Sequence, residues 1–267
     1  MTLRDKHALI TGSSRGIGRG IALKLAESGV NVGIHFYRNE SAAKDTLEAV
    51  RKRGSDGFIL QADICRPEEI SRMFQLVKKQ FGKLNIFVSN ARPEASEFFY
   101  PPMEITLQQW DTASDSQAKA LLIAVREASS LMPEGGRIVA ITYASGSRTG
   151  SLLPWVGMGS AKAALESLVR YLAVALAKRG ITVNAISPGW TEDSVLNSLP
   201  QEVQTLIRNW HRRGWTPMGR LGTPEDIGNV VALFCSEQAS WITGQIIYAD
   251  GGASLMTPEV PPEIQFG

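Results

Sequence analysis

The sequence predicts an α/β fold, a single-domain Rossmann-type doubly wound sheet of about seven parallel strands with helices on both faces. Three observations predict it. Short apolar, β-branched runs alternate with segments of helical period along nearly the whole chain. A glycine-rich turn follows the first of those runs. The composition of the 267 residues, 43% hydrophobic and 20% charged, is that of a globular chain with one sizeable core, and no linker or repeat divides it.

The elements follow in order. "HALIT" (7–11) reads as a first strand, and the amphipathic stretch 16–29 as its helix. "VNVGIHF" (30–36) precedes a helix over 40–53, and "GFILQA" (57–62) precedes one over 67–81. "LNIFVSN" (84–90) leads to a longer helix over roughly 106–131. "GRIVAIT" (136–142) leads to a helix over 158–178, "ITVNAIS" (181–187) to one over 224–235, and "GQIIYAD" (244–250) is the last strand. Strand runs apolar at every position, rather than at alternate ones, are expected where helices cover both faces. Crossovers should be right-handed, and a ligand should sit at the carboxyl ends of the strands. The segment 189–220, rich in Trp, Arg and Pro, interrupts the alternation and is expected to form a lid over that site. The tail 256–267 is Pro-rich and is expected to be extended.

The bulk properties narrow the function classes. The net charge is +2 and the basic residues are dispersed, which argues against a nucleic-acid footprint. The run Arg51-Lys52-Arg53 reads as a solvated helix end. Two cysteines fit a reduced compartment better than a disulfide framework. No apolar run approaches the ~18 residues of a membrane span, and the amino terminus enters a strand at once, so a cytoplasmic protein is expected. His7, His35 and His211 do not cluster, and no metal site is expected.

The glycine-rich turn sits between the first strand and the first helix. Gly12, Gly16 and Gly18 let the backbone turn sharply and approach a pyrophosphate at the helix amino terminus, with Ser14, Arg15 and Ile17 between them. A free ribose 2′-hydroxyl calls for a carboxylate after the second strand, whereas a 2′-phosphate calls for cations. Arg38 stands at that turn with no acidic residue beside it, and Arg15 lies in the loop; both could also be plain surface arginines. The pattern predicts NADPH.

Thr11-Gly12 with Gly16 and Gly18, Ala62-Asp63, Ser89-Asn90-Ala91, "NAISPG" (184–189) and "YADGG" (248–252) together resemble the short-chain dehydrogenase/reductase family over nearly the whole chain. The resemblance implies adenine contact for Asp63 with Ile64, a place along the cofactor for Asn90 and Ala91, and cover for the nicotinamide from Pro188, Gly189 and Thr191. Asp63 also reads as part of the approach to the next helix. A homotetramer is the usual assembly implied.

The family's carbonyl reducers use a serine, a tyrosine and a lysine, the last two spaced as Y-x-x-x-K. Here Lys162 is in place, but Met158 holds the tyrosine position, Tyr143 the serine position at the strand end, and Gln117 that of a helical asparagine. Tyr143 is similar to the tyrosine at this strand end in enoyl-thioester and 2,4-dienoyl-CoA reductases, where a phenol stabilises an enolate oxygen. Trp155 stands where fatty-acid enoyl reductases keep a second tyrosine and reads as a pocket wall. Ser145 could serve as the family serine if the loop after the strand folds back. Arg92 occupies a position ordinarily held by a small glycine and could meet a substrate carboxylate or phosphate, or pair with Glu94 or Glu97. Trp190 joins the expected pocket lining, and the cations and indoles of 208–222 could attract a substrate carried on CoA or acyl carrier protein.

Three functions follow from these residues. The first is NADPH-dependent reduction of a conjugated C=C bond in an enoyl or dienoyl thioester or related enone, with Tyr143 and Lys162 catalytic and Lys162 also holding the nicotinamide ribose of the cofactor. The second is carbonyl reduction with Tyr143 as a relocated proton donor. The third is a cofactor-bound scaffold without turnover, which the loss of the helical tyrosine would favour.

Overall fold

The computed structural model describes residues 3–94, 99–143, 154–193, 195–256 and 261–265. Seven parallel strands form one sheet: β1 (His7–Ile10), β2 (Asn31–Phe36), β3 (Gly57–Gln61), β4 (Ile86–Ser89), β5 (Arg137–Ile141), β6 (Thr182–Pro188) and β7 (Ile246–Ala249). Their order is β3-β2-β1-β4-β5-β6-β7, so the winding reverses between β1 and β4. That reversal leaves a crevice beyond the carboxyl ends of these two strands. The register holds the ends level, with Ile10 opposite Val88 and Ser89 opposite Ala140.

Alternate residues of each strand serve opposite cores. Leu9, Phe87, Ile138 and Val183 pack on one face with α3 (Pro67–Phe81), α5 (Ala120–Leu131) and α6 (Val156–Leu176). Ala8, Ile10, Ile86 and Val139 pack on the other face with α1 (Gly16–Glu27), α2 (Glu40–Arg51) and α8 (Pro224–Cys235). This double burial explains why the strands read as continuous apolar runs. Several helices start where the sequence places a cap. Pro67 and two glutamates open α3, and Thr223 forms a reciprocal capping box with Asp226 at α8.

Three regions depart from expectation. The long helix over 106–131 contains a π-turn at Asp115–Lys119, which separates α4 (Leu107–Ser114) from α5. The segment after β6 is largely helical: a 3₁₀ turn at Leu196–Ser198, then α7 (Gln201–Trp210), then a π-turn at His211–Trp215. The tail is not extended throughout, because Pro262–Gln265 forms a helical turn, α9, that packs against 211–215. Among the described residues, no helix is long and apolar enough to cross a membrane.

Candidate active site

A cleft of about 790 Å³ opens at the switch point. Its floor is the loop between β1 and α1. Gly12 adopts φ +65°, and a Cβ on Gly18 would lie 2.3 Å from the Gly12 carbonyl oxygen, so this cradle admits only glycine at its two tightest points. The loop is pinned from both sides. Asn90 Nδ2 donates to the carbonyls of Thr11 (2.9 Å) and Gly12 (3.2 Å). His35 Nδ1 accepts from the Gly12 N–H at 2.9 Å, and its Nε2 donates to the Ala62 carbonyl at 3.0 Å. Those two bonds require the neutral ring, and burial pushes the His35 pKa down to about 4. Thr46 Oγ1 donates to the Ser14 carbonyl from α2, and Gly16 turns the chain into α1 at φ +55°.

The cleft then runs toward β2 and β3. Arg38 lies there, its guanidinium 4.8 Å from the centre of the Tyr37 ring. Asp63 and Ile64 line the same end, and Asp63 Oδ1 accepts from the Cys65 N–H, so this carboxylate also shapes the turn into α3. Arg15 pairs across the mouth with Glu94. The cavity, the glycine loop and the two arginines fit a dinucleotide bearing a 2′-phosphate.

At the other end stand Lys162 and Tyr143, the candidate reacting groups. Lys162 is buried on α6, and its Nζ donates to the Ile141 carbonyl at the end of β5 at 2.6 Å. Burial first, and then the charge of Arg92, push its pKa down to about 7, against the opposing pull of Glu166. Glu166, one turn further along α6, accepts from Thr142 Oγ1 at 2.8 Å, which ties the helix to the strand end. Tyr143 follows directly and lines the cleft with Lys162. Its carbonyl accepts from Ser187 Oγ at 2.6 Å, and its ring stacks on Trp155, centroids 5.9 Å apart and planes 9° apart. The phenol oxygen lies over Gly159: a Cβ there would be 2.7 Å from it. The tyrosine thus reaches from the strand end to the helix turn that holds Met158, itself a buried wall of the cleft.

Trp155 meets Phe99 edge-on at 6.2 Å and forms the expected wall. Pro188, Gly189, Trp190 and Thr191 supply the facing side. Gln117 is buried in the π-turn and donates to the Ala91 carbonyl at 3.4 Å. Arg92 lines the cleft and donates from Nη1 to the Pro93 carbonyl at 2.7 Å. The structure therefore gathers the predicted residues other than Gly16 into one cavity; Ser145 lies outside the described residues. The arginines of 208–222 are engaged otherwise than expected: Arg208 grips Glu192 and Arg220 grips Asp226. Sequence reasoning missed His35, Gly159 and Asp193. Only Gly159 left a signal, as a glycine inside an otherwise helical run. Among the described residues, no cluster of His, Cys, Asp or Glu could hold a metal ion.

Fold and site together define a Rossmann-type protein with a lysine and a tyrosine at the switch-point chamber. Residues 12–254 match the family model described as "Enoyl-(Acyl carrier protein) reductase", and the chain belongs to this short-chain dehydrogenase/reductase family. It is similar to a hydroxynaphthalene reductase-like protein, Arp2, of Metarhizium brunneum, 34% identical over 94% of this chain and 96% of that protein. It is also similar to the 3-oxoacyl-[acyl-carrier-protein] reductase FabG of Staphylococcus epidermidis, 32% identical over 93% of this chain and 98% of that one. Among solved structures, it resembles the angucycline C-6 ketoreductase LanV with bound NADP. That match has a TM-score of 0.85 and 35% identity, over 96% of this chain and 98% of that chain. The names of FabG and LanV refer to oxo and keto reduction rather than to C=C reduction, which corrects the leading expectation from sequence toward its alternative.

Proposed function

We propose that the protein is an NADPH-dependent carbonyl reductase in which Tyr143 serves as the proton donor from a relocated position. The observation that supports it most is the shared cavity of Tyr143, Lys162 and the glycine loop. NADP in LanV and the pair Arg15 and Arg38 beside the cleft favour NADPH over NADH. Gly12, Ser14, Gly16, Ile17 and Gly18 would hold the pyrophosphate, Asp63 and Ile64 the adenine, and Asn90, Ala91, Pro188, Gly189 and Thr191 the nicotinamide half.

When bound, the nicotinamide supplies a hydride to the carbonyl carbon. The protein's own task is the oxygen. Charge develops there as the π bond of the C=O breaks and a C–O single bond remains, and the Tyr143 hydroxyl donates its hydrogen bond and then its proton to it. Lys162, in its protonated form, places a positive charge beside the chamber and favours the phenolate that remains. Solvent returns the proton to Tyr143, so ketone, NADPH and one proton give alcohol and NADP⁺. Trp155 and Met158 keep water off the reacting atoms, which strengthens each of these interactions.

A second reading, reduction of a conjugated C=C bond, is favoured by one feature: apolar Met158 occupies the helical tyrosine's position. There Tyr143 would hydrogen-bond an enolate oxygen. Incubation with NADPH and an α,β-unsaturated ketone separates the two by product. The carbonyl reading predicts the allylic alcohol, and recovery of the saturated ketone would overturn it.

We assign the whole chain to one domain, with 189–220 as its cover. The exposed Tyr171, Val174 and Trp241 support a homotetramer. A CoA or acyl-carrier-bound substrate has less support, since Arg208 and Arg220 already hold carboxylates.

A further inference from the structure

The glycine loop turns on its least constrained residue. Gly12 sits at φ +65°, with no side chain to limit it, at the start of the backbone that would face a pyrophosphate. Two side chains hold that residue in place. Asn90 Nδ2 donates to its carbonyl at 3.2 Å, and His35 Nδ1 accepts from its N–H at 2.9 Å. Asn90 is one of the cofactor residues expected from sequence, whereas His35 has no task in the proposed chemistry. Yet His35 is a polar side chain, 2% exposed, on the otherwise apolar end of β2. An imidazole buried there is disfavoured unless both of its nitrogens are bonded.

Both are bonded, and the partners fix the tautomer. The Gly12 N–H can only donate, so Nδ1 is the acceptor. The Ala62 carbonyl can only accept, so Nε2 carries the proton and donates to it at 3.0 Å. Burial outweighs the pull of the Ala62 carbonyl and the Asp63 charge, and keeps the ring neutral down to about pH 4. One ring therefore bridges the glycine loop and the end of β3. The main chain of His35 is tied to the loop separately. Its N–H donates to Ser13 Oγ at 3.1 Å, and its carbonyl accepts from the Ser13 N–H at 3.0 Å. Replacing the side chain leaves those bonds in place and releases Gly12, so the ring's contribution is separable from the fold.

We propose that His35 is a positioning residue for the cofactor: its ring presets the Gly12 peptide, so that the loop meets the pyrophosphate already ordered. The ring acts through Gly12 and takes no part in the transfer of hydride or proton. Without it, ordering the Gly12 peptide opposes binding, and the affinity for the dinucleotide falls. The proposal rests on the glycine loop as the seat of NADPH and is independent of whether C=O or C=C is reduced.

Two substitutions in the full chain divide the ring's two bonds. The amide oxygen of asparagine is attached to Cγ, as Nδ1 is in histidine, so His35→Asn keeps an acceptor for Gly12 and loses the reach to Ala62. The amide of glutamine lies one carbon further out, near the place of Nε2, so His35→Gln keeps a donor for Ala62 and abandons Gly12. Dissociation constants for NADPH and for adenosine 2′-monophosphate, which has no pyrophosphate, are measured by calorimetry, and Tm by thermal unfolding. His35→Gln is expected to weaken NADPH by about tenfold, the cost of a buried N–H without its partner, and His35→Asn by no more than about threefold. Adenosine 2′-monophosphate should bind His35→Gln within about twofold of the wild type, and Tm should fall in both variants. An NADPH affinity unchanged in His35→Gln, an equal loss in both variants, or a parallel loss of adenosine 2′-monophosphate overturns the proposal. A wild type that binds no NADPH overturns the cofactor assignment as well, which distinguishes the two failures.

Discussion

Gly159 gives the sharpest handle on the position of the phenol. An alanine there puts a methyl carbon 2.7 Å from the Tyr143 hydroxyl oxygen, where ordinary contact begins near 3.4 Å. The hydroxyl must therefore retreat by about 0.7 Å. The fold should not suffer, because the clashing atom is the far end of a side chain, and alanine is favoured over glycine in a helix by up to about 1 kcal/mol. Catalysis should suffer, since a displacement of about 1 Å costs on the order of 100-fold. Gly159→Ala is thus expected to lower kcat by roughly 10- to 50-fold, about 1.4–2.3 kcal/mol of barrier, with Tm unchanged or slightly raised. A double-mutant cycle completes the test. In Tyr143→Phe the nearest ring atom would be the terminal carbon, 4.0 Å from the new methyl, so the clash is gone. Gly159→Ala should then have no further effect on rate. Equal losses in both backgrounds would refute the claim that the phenol acts from above this turn.

Other predictions concern charge. Lys162 titrates near 7 when folded against 10.5 when unfolded. Between these values the unfolded chain binds more protons, so stability rises with pH from about 7 to 10.5 by up to a few kcal/mol. Urea titrations of Lys162→Met should lack that rise, and an identical slope in both proteins would contradict the buried lysine. His35 is lowered from 6.5 to about 4, so its contribution is intact above 6.5 and is lost as pH falls toward 4. His35→Gln should flatten that acid limb, read by Tm across the range; an unaltered limb would show that another group unfolds the protein. Arg38→Ala should weaken NADPH binding about tenfold while leaving NADH almost unaffected, measured by fluorescence titration. A parallel loss of both cofactors would remove Arg38 from any contact with the 2′-phosphate.

The sheet was legible because a strand buried on both faces leaves an unbroken apolar run, and each of the seven runs became a strand. The glycine loop was legible because its backbone geometry tolerates few other residues. Less visible were features that depend on one extra residue or a distant contact. The π-turn at Asp115–Lys119 leaves a helical pattern intact on either side, so nothing in its periodicity betrays it. Helix α7 did leave a signal: Val203, Leu206, Ile207 and Trp210 fall at helical spacing after Pro200. The surrounding Trp, Arg and Pro residues obscured it. His35 could not be assigned from sequence, because its two partners come from the ends of two other strands. The chemistry was legible only to the level of one lysine and one strand-end tyrosine; the choice between C=O and C=C depends on substrate placement, which no residue pattern fixes.

Single-turnover hydride transfer in Tyr143→Phe, followed by loss of NADPH absorbance with a ketone that the wild type reduces, addresses the phenol's role with no other step in the way. The proton-donor role predicts a fall of about 100-fold or more, with the dissociation constant for NADPH within about twofold of the wild type. A transfer rate within about threefold of the wild type would mean that the substrate oxygen takes its proton from some other group.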